Sequence, residues 1–419
     1  MTSDGSSTAH LEELYIDLHR NPELSFSEYR TAGIISDHMI ALGLDVITGI
    51  GRTGVVGVMR NGEGPTVLLR ADMDALPVAE DTGLAYASIA RGTDSDGNDV
   101  PVMHACGHDI HMTCLIGAIE RLVATQIQWS GTVIALFQPA EEYGGGAQTM
   151  VDDGLYQKIP RPDVVLGQHV FPFPAGSLGA HSGPAMASVD TVNVHMFGRG
   201  GHGSEPETTI DPVVMAAATV MRLQTVVARE VSPQETVVVS IGSLHVGTES
   251  NIISDEARMG ISIRSFNEEV RHHVLDSVER IIKTEAQASG AVVPPEFTYT
   301  GRYPVTVNDP KASERTITAF RTAFGDARLF DPGALAASED VGNLATAAGV
   351  PLVYWMLGGS SPEEYAAADA AGTIHTDIPT NHSPRFAPVM QPTIDTGVEA
   401  LVVAAREWLG DSRTPDMVS

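Results

Sequence analysis

Three histidines, a cysteine and a carboxylate crowd into one short segment, Met103–His111. Thiolate, imidazole and carboxylate groups are the ligands that borderline-soft divalent metals such as zinc prefer. Structural zinc sites usually take paired ligands such as Cys-x-x-Cys, yet the chain holds only Cys106 and Cys114. A metal site in this segment would therefore need further ligands from distant parts of the chain.

Side chains of the same types follow several predicted strands and recur near the C-terminus. They are Asp72, Asp74, Glu141, Glu142, His169, His375 and His382. The adjacent pair Glu141 and Glu142 has two interpretations. It could begin a helix, where the dipole favours acids, or one carboxylate could bind a metal while the other acts on a metal-activated water. The pair alone leaves both open, and the Cys-His segment favours the second.

Alternating helical and β-branched patterns predict the elements that carry these side chains. Strands are predicted at residues 45–48, 54–59, 66–69, 131–137 and 163–167, and helices at 11–19, 27–42 and 112–124. Such alternation is typical of an α/β layer, in which functional groups collect at the carboxyl ends of strands. The pattern therefore places Asp72, Glu141 and His169 at one edge of a sheet.

The order of predicted strands and helices changes beyond Gly183. Strands are predicted at residues 188–197, 235–244, 257–266 and 295–300, and helices at 211–229 and 268–288. This βαββαβ order is that of a ferredoxin-like sandwich. The α/β pattern returns after Ala312. We therefore predict an α/β domain with a mixed central sheet, formed by residues 1–185 and 302–419, with a βαββαβ domain inserted at 186–301.

Composition limits the classes of partner. The 419 residues include 53 acids against 25 Lys and Arg, a net charge of −28, which argues against nucleic acid and anionic membranes. Two cysteines cannot form a disulfide framework, so a cytoplasmic location is expected. Residues 1–9 lack the pattern of a signal peptide, and no apolar run approaches the roughly 20 residues that span a bilayer.

Five phrases of the sequence resemble a known family. These are His19–Ser25, Arg70–Pro77, His104–Asp109, Gln138–Glu142 and Asn381–Pro384. In order and spacing, from about Leu11 to Trp408, they resemble the aminoacylase and carboxypeptidase family of dinuclear metallohydrolases. More narrowly they resemble its amidohydrolase branch of hippurate, N-acyl-amino-acid and auxin-conjugate hydrolases. The resemblance implies that residues 1–185 and 302–419 form the catalytic domain and 186–301 a lid and dimerisation domain.

The resemblance also implies a ligand set for two divalent metal ions. In that branch a cysteine thiolate bridges the metals where other members use aspartate, and Cys106 matches it. The other implied ligands are His108 and His169 for one metal, and Glu142 and His382 for the second, with Glu141 as general base. Zinc is the first expectation for this mixed donor set, with manganese, cobalt or nickel as alternatives.

Other residues take roles from the same resemblance. Asp74 would orient groups beside the metals, and His202, in the turn 198–204, would hold the oxyanion. Asn251 and Arg264 would contact the substrate, with Arg264 suited to a carboxylate. We expect His104 and His111 to support the ligands without binding metal, and His375 to be a less suitable match than His382 for the last ligand.

Together these features predict metal-assisted hydrolysis of the amide bond in a small N-acyl-amino acid. Two cations would lower the pKa of a water, and Glu141 would take its proton and pass it to the leaving amine. Closure of the inserted domain would bring in His202. A dipeptidase or carboxypeptidase is the alternative within the family, and a non-catalytic zinc protein is a third reading. A homodimer or homotetramer is expected from the resemblance.

Overall fold

The computed structural model describes residues 8–410. Residues 1–7, on which the prediction of no signal peptide largely rests, and residues 411–419 lie outside this part. No helix of the described part is long and apolar enough to cross a membrane.

Eighteen strands and twelve α-helices are described. The strands are β1 (Asp45–Ile50), β2 (Gly54–Asn61), β3 (Thr66–Asp72), β4 (Arg91–Thr93), β5 (Asp99–Pro101), β6 (Gly131–Gln138), β7 (Val164–Pro174), β8 (Leu178–Gly179), β9 (Gly183–Met186), β10 (Ser188–Phe197), β11 (Gly201–His202), β12 (Val237–Val246), β13 (Ile252–Ile253), β14 (Glu256–Ser265), β15 (Glu296–Tyr303), β16 (Thr306–Asn308), β17 (Leu329–Phe330) and β18 (Leu352–Ser360). The helices are α1 (Ala9–Arg20), α2 (Tyr29–Ala41), α3 (His108–Ala124), α4 (Gly146–Asp152), α5 (Leu155–Lys158), α6 (Pro212–Thr225), α7 (Glu268–Ala288), α8 (Pro310–Phe324), α9 (Gly342–Ala348), α10 (Pro362–Ala371), α11 (Ile374–Asp377) and α12 (Met390–Trp408).

The described chain forms two compact units. The first comprises residues up to Ala185, Val307–Gly333 and the chain from Asp340, and the second comprises Met186–Thr306 and Ala334–Glu339. The segment 334–339 was not assigned to the second unit from sequence. The amide of Ala187 donates to the carbonyls of Leu335 and Ala337, which ties this segment to the start of β10. The role of the second unit as a lid stays a prediction.

An eight-stranded mixed sheet organises the first unit, in the order β1-β2-β6-β3-β7-β18-β8-β17. Strands β6, β3, β7 and β18 are parallel to one another. They are buried along nearly their whole length, as a parallel sheet covered on both faces requires. The predicted mixed α/β class is confirmed, and the carboxyl ends of β3 and β6 lie side by side.

The second unit has the element order β10-α6-β12-β14-α7-β15. Its four strands pair antiparallel in the order β12-β14-β10-β15, the arrangement of a ferredoxin-like sheet. On β10 and β14, inward residues such as Val192 and Ile261 are buried against α6 and α7, and polar residues alternate with them. This period of two is the pattern that identified the strands in the sequence.

Candidate metal centre

Cys106 and His108 lie on the turn that begins α3. Gly107 between them has φ of +80°, and a Cβ there would stand 2.3 Å from a methyl of Val170. Only glycine fits this left-handed and crowded position. The tight turn directs both side chains into a buried space, where Cys106 is 7% exposed and His108 is fully buried.

The acidic pair follows the carboxyl end of β6. Ala140 adopts a φ of +50°, and its amide donates to the buried carboxylate of Glu28 at 2.9 Å. The amides of Glu141 and Glu142 then both donate to the carboxylate of Asp74, at 3.1 and 3.0 Å. Asp74 thus holds the backbone of the pair, and Glu28 holds the turn before it. Burial, followed by the nearby Asp74, raises the pKa of Glu28 to about 7.

Hydrogen bonds fix which imidazole nitrogens are available to a metal. The Nδ1 of His108 donates to the carbonyl of Asp74 at 2.8 Å, and the Nδ1 of His169 donates to the carbonyl of Val170 at 2.8 Å. A proton therefore sits on Nδ1 in both rings, which leaves Nε2 as the nitrogen that can face a metal. The Nε2 of His169 lies 3.4 Å from the Sγ of Cys106.

His382 lies beside these residues although it is far from them in sequence. Its backbone has φ of +69°, and its amide donates to the carbonyl of Ala105 at 2.8 Å. Its Nε2 lies 3.3 Å from a carboxylate oxygen of Glu142. Asn381 supports the same junction, because its amide group donates to the carbonyls of Cys106 and Val170 at 3.3 and 3.1 Å. From sequence, Asn381 was noted only as part of the segment Asn381–Pro384, and no role was predicted for it.

The side chains expected to bind metal fall into two groups that share Cys106. Ligand atoms of Cys106, His108 and His169 lie within 4.8 Å of one another, and so do those of Cys106, Glu142 and His382. The division equals the one implied by the resemblance. Glu141 is 5% exposed and forms a further such group with His108 and Glu142. We call the five side chains Cys106, His108, Glu142, His169 and His382 the ligand cluster.

Side chains of the protein do not fully satisfy the buried polar atoms of the ligand cluster. Nε2 of His108 and Oε1 of Glu142 are buried and form no hydrogen bond, although Oε1 lies 3.3 Å from Nε2 of His382 and 3.9 Å from Nε2 of His108. Leaving such atoms without a hydrogen bond is costly unless another group satisfies them. Burial and the carboxylates of Glu142 and Glu141 raise the pKa of the Cys106 thiol well above its usual range. A thiolate ligand there needs a cation beside it. The donor set and its unsatisfied atoms therefore fit two divalent cations.

The pKa shifts of two histidines in the ligand cluster also favour a bound cation. Burial lowers the pKa of His108, but Asp72, Asp74 and Glu142 outweigh it and raise the pKa to about 10. Burial and then His111 lower the pKa of His169 well below its usual range. Without metal, the cluster thus takes up a proton at His108 to balance the surrounding carboxylates, a charge that a cation would replace.

In a neighbouring group, formed by Asp72, His108 and His111, the possible ligand atoms also lie within 4.8 Å of one another. Its atoms are already engaged, because the Nδ1 of His111 donates to Asp72 at 2.5 Å and the Nε2 accepts from the amide of Val170 at 2.8 Å. Asp72 also pairs with buried Arg70 at 2.7 Å. Burial alone would raise the pKa of Asp72, but Arg70 first and then the histidines hold it well below its usual range. This group supports the cluster, as expected for His111.

Three more residues that the sequence analysis considered lie outside the ligand cluster. His104 is buried, and neither ring nitrogen has a hydrogen-bond partner among the described residues; burial lowers its pKa to about 4. His375 lies exposed on α11 and belongs to none of the possible metal-binding groups within residues 8–410. Cys114 is fully buried in the core beside α12, as expected.

His202, Asn251 and Arg264 belong to the second unit and are described within it. His202 is exposed on β11, and its Nδ1 accepts from the hydroxyl and the amide of Ser204 at 2.7 and 3.2 Å. Its proton then sits on Nε2, the form that donates to an oxyanion. Asn251 adjoins this turn, since its carbonyl accepts from the amide of Gly203. Arg264, on β14, donates to the carbonyl of Ala336 at 2.5 Å.

Comparison with known proteins identifies the family. The family model described as "Peptidase family M20/M25/M40" matches residues 68–378, which are most of the chain. The chain belongs to this family. The match covers the segment from β3 to α11 and therefore includes Cys106, Glu141 and the whole inserted unit, while His382 follows it. The predicted family is confirmed.

Three relatives illustrate the similarity. The chain is 39% identical to thermostable carboxypeptidase 2 of Saccharolobus solfataricus, over 72% of this chain and 74% of that protein. It is 38% identical to hippurate hydrolase of Campylobacter jejuni, over 79% of this chain and 84% of that one. A crystal structure of a dinuclear metal binding peptidase of Bacillus subtilis from the M20 family shares 27% identity, covers 97% of this chain and 100% of its own, and has a TM-score of 0.74. The protein is a metal-dependent hydrolase with a centre for two divalent cations.

Proposed function

We propose that the protein hydrolyses the amide bond of N-acyl-amino acids, with Glu141 as general base. The observation that carries the proposal is the pair of ligand groups sharing Cys106, with the carboxylate of Glu141 beside them. Two cations bound there supply Lewis-acid polarisation of the carbonyl and lower the pKa of water. The bridging role of Cys106 and the metal identity are parts of the proposal, with zinc ahead of manganese, cobalt and nickel.

Glu141 is suited to move a proton between water and the leaving amine. Its backbone is held by Asp74, which also accepts from the Ser25 hydroxyl at 2.7 Å. A base positioned in this way takes the proton of the attacking water and returns it to the amine nitrogen. Asp74 acts through the backbone of Glu141 and Glu142 and is therefore a positioning residue in this scheme.

The second unit supplies the remaining roles of the proposal. The Nε2 proton of His202 would donate to the oxyanion, and Arg264 with Asn251 would bind the substrate. These assignments rest on the resemblance and on the tautomer that Ser204 imposes on His202. A cytoplasmic location and a homodimer or homotetramer remain part of the proposal.

The second candidate is a carboxypeptidase or dipeptidase, because the chain is as similar to a carboxypeptidase as to a hippurate hydrolase. The deciding experiment is a substrate panel with protein reconstituted in zinc, manganese, cobalt or nickel. N-acetyl- and N-benzoyl-amino acids should be cleaved faster than dipeptides. A preference for dipeptides would favour the second candidate, and stoichiometric metal without any turnover would favour a non-catalytic protein.

Matched substitutions of the acidic pair test the base. Glu141→Gln should keep its metals and lose about 10²- to 10⁴-fold in kcat, whereas Glu142→Gln should lose metal as well. Turnover at the wild-type rate by metal-loaded Glu141→Gln would overturn the assignment of the base.

A further inference from the structure

A pocket of about 470 Å³ opens beside the ligand cluster within the first unit. Its volume is in the range of small-molecule sites. Glu142 is one of its lining residues, so a ligand in the pocket would lie next to one of the proposed metal ligands. Leu24, Leu76 and Pro77 also line the pocket and make part of the wall apolar.

Two aromatic side chains form part of the wall of the pocket. Phe26 and Tyr143 both line it, and their rings meet edge to face with centroids 5.7 Å apart. Phe26 holds a φ of +62°, a conformation that costs a bulky residue about 1 kcal/mol or more and is retained mainly where the surroundings or a ligand require it. Tyr143 is 59% exposed although it follows the acidic pair directly. An exposed ring at this place is available to a substrate.

The pocket also contains a cation without a counter-ion. The guanidinium of Arg52 stacks over the ring of Phe26, 4.2 Å from its centroid. It makes no hydrogen bond or ion pair with any other residue between 8 and 410. The one other acid of the wall besides Glu142 is Asp94, which accepts from the amides of Asp96 and Asn98 at 3.0 and 2.8 Å. Its carboxylate is thus partly satisfied by its own loop.

We propose that this pocket binds the acyl group of the substrate and selects an aromatic acyl group that carries a distal carboxylate. The aryl ring would pack against Phe26 and Tyr143, and Arg52 would bind the carboxylate. Because the protein carries a net charge of −28, attraction of an anion has to be local. The inference rests on the proposed function and deepens it by naming the acyl class.

The test compares three substrates with the same amino acid and an acetyl, benzoyl or 4-carboxybenzoyl group. The wild type should have the highest kcat/KM for 4-carboxybenzoyl and the lowest for acetyl. Arg52→Gln should lose about tenfold for the 4-carboxybenzoyl substrate only, since a charged hydrogen bond contributes roughly this factor at an exposed site. Arg60→Gln, at an exposed arginine of β2 that pairs with Asp45 of β1, should leave all three values unchanged.

The aromatic wall is tested separately. Phe26→Ala should lower kcat/KM for both aryl substrates relative to acetyl, and unchanged metal content and acetyl turnover would show that it is folded. An equal loss for all three substrates in Arg52→Gln would overturn the proposal, because Arg52 would then bind the carboxylate common to every amino acid. A wild type that does not prefer the 4-carboxybenzoyl over the benzoyl substrate would overturn it too.

Failure of the proposed function gives a different result. If dipeptides are cleaved and N-acyl-amino acids are not, the same pocket is examined with benzoate and terephthalate as competitive inhibitors of dipeptide cleavage. Terephthalate should inhibit more strongly in the wild type and lose that advantage in Arg52→Gln. Equal inhibition by both acids in the two proteins would sink the pocket assignment independently of the reaction.

Discussion

Two buried polar regions of the first unit differ in how completely the protein satisfies them. Around Arg70, the guanidinium donates to Gln138 and Asp72 at 2.9 and 2.7 Å, and Gln138 donates to Asp340 at 2.6 Å. The ligand cluster is less completely buried, since the side chain of His382 is 57% exposed, and its buried atoms at His108 and Glu142 lack hydrogen-bond partners. Paired polar groups stabilise a core, whereas unpaired ones need an external partner. The difference separates the scaffold from the site that requires cations.

A substitution of Cys106 should have the largest effect, because the thiol belongs to both ligand groups. Cys106→Ala should lose at least one metal per chain and about a thousandfold or more in activity. Cys106→Asp should regain metal, since aspartate fills this position elsewhere in the family. Metal analysis and a hydrolysis assay measure both effects. Cys114→Ala is the control, and equal metal content in all variants would contradict the bridge.

Arg70→Met breaks the paired region. Removal of the guanidinium leaves buried Asp72 and Asp340 without their cation, which should cost about 3 kcal/mol or more in the free energy of unfolding. Urea denaturation measures the loss. Arg60→Met, at an exposed pair with Asp45, should cost less than about 1 kcal/mol. Similar costs for both variants would show that the paired region does not stabilise the unit.

His19 gives the paired scaffold a dependence on pH. It donates to Asp109 and Glu80 at 2.7 and 3.1 Å. Burial lowers its pKa, but the two carboxylates outweigh this and raise it from 6.5 to about 9. The stabilisation is therefore complete below pH 6.5 and is lost as the pH rises to about 9, up to about 3 kcal/mol in total.

The measurement is the free energy of unfolding of the metal-free protein at pH 6 and pH 9. The wild type should lose more stability over this interval than His19→Gln. His10→Gln, at an exposed histidine that contacts Glu120, is the control and should behave as the wild type. Parallel losses in wild type and His19→Gln would refute the assignment.

Removal of the metals should also lower the stability of the folded protein. A ligand that binds only the folded state at 100 times its Kd contributes about 2.7 kcal/mol. A chelator should therefore lower the melting temperature of the wild type and lower that of Cys106→Ala less. An unchanged melting temperature in the wild type would mean that the cluster is satisfied without cations.

Much of the fold was predictable because its signals are local. The period of two along β10 and the buried runs of β3 and β6 are properties of short segments. The hairpin of β4 and β5 was missed, because each strand has only three residues and neither shows a hydrophobic pattern. The placement of 334–339 with the second unit depends on tertiary hydrogen bonds to Ala187, which no local pattern records.

The candidate site likewise contains residues that local sequence indicates and tertiary contacts that it does not. Its candidate ligands and base were singled out because Cys, His and paired Glu are conspicuous after predicted strands and because the resemblance selects among them, and their roles stay predictions. The supporting contacts were missed: Glu28 sits in a helical pattern and gives no sign that it binds the amide of Ala140. Arg70 likewise gave no sign of its contact with Tyr354, since the two are far apart in sequence. Asn381 could have been predicted, because it directly precedes His382, a predicted ligand.

The distribution of the ligand cluster along the chain has a consequence for biosynthesis. Cys106, His108 and His169 precede the second unit in the chain, whereas His382 follows it. Folding of nascent chains proceeds largely from the N-terminus, so the group with His382 can be completed only after the second unit has been synthesised. If both groups bind cations, as proposed, the second cation can be acquired only at that stage, and a product that stops before His382 would lack a full centre.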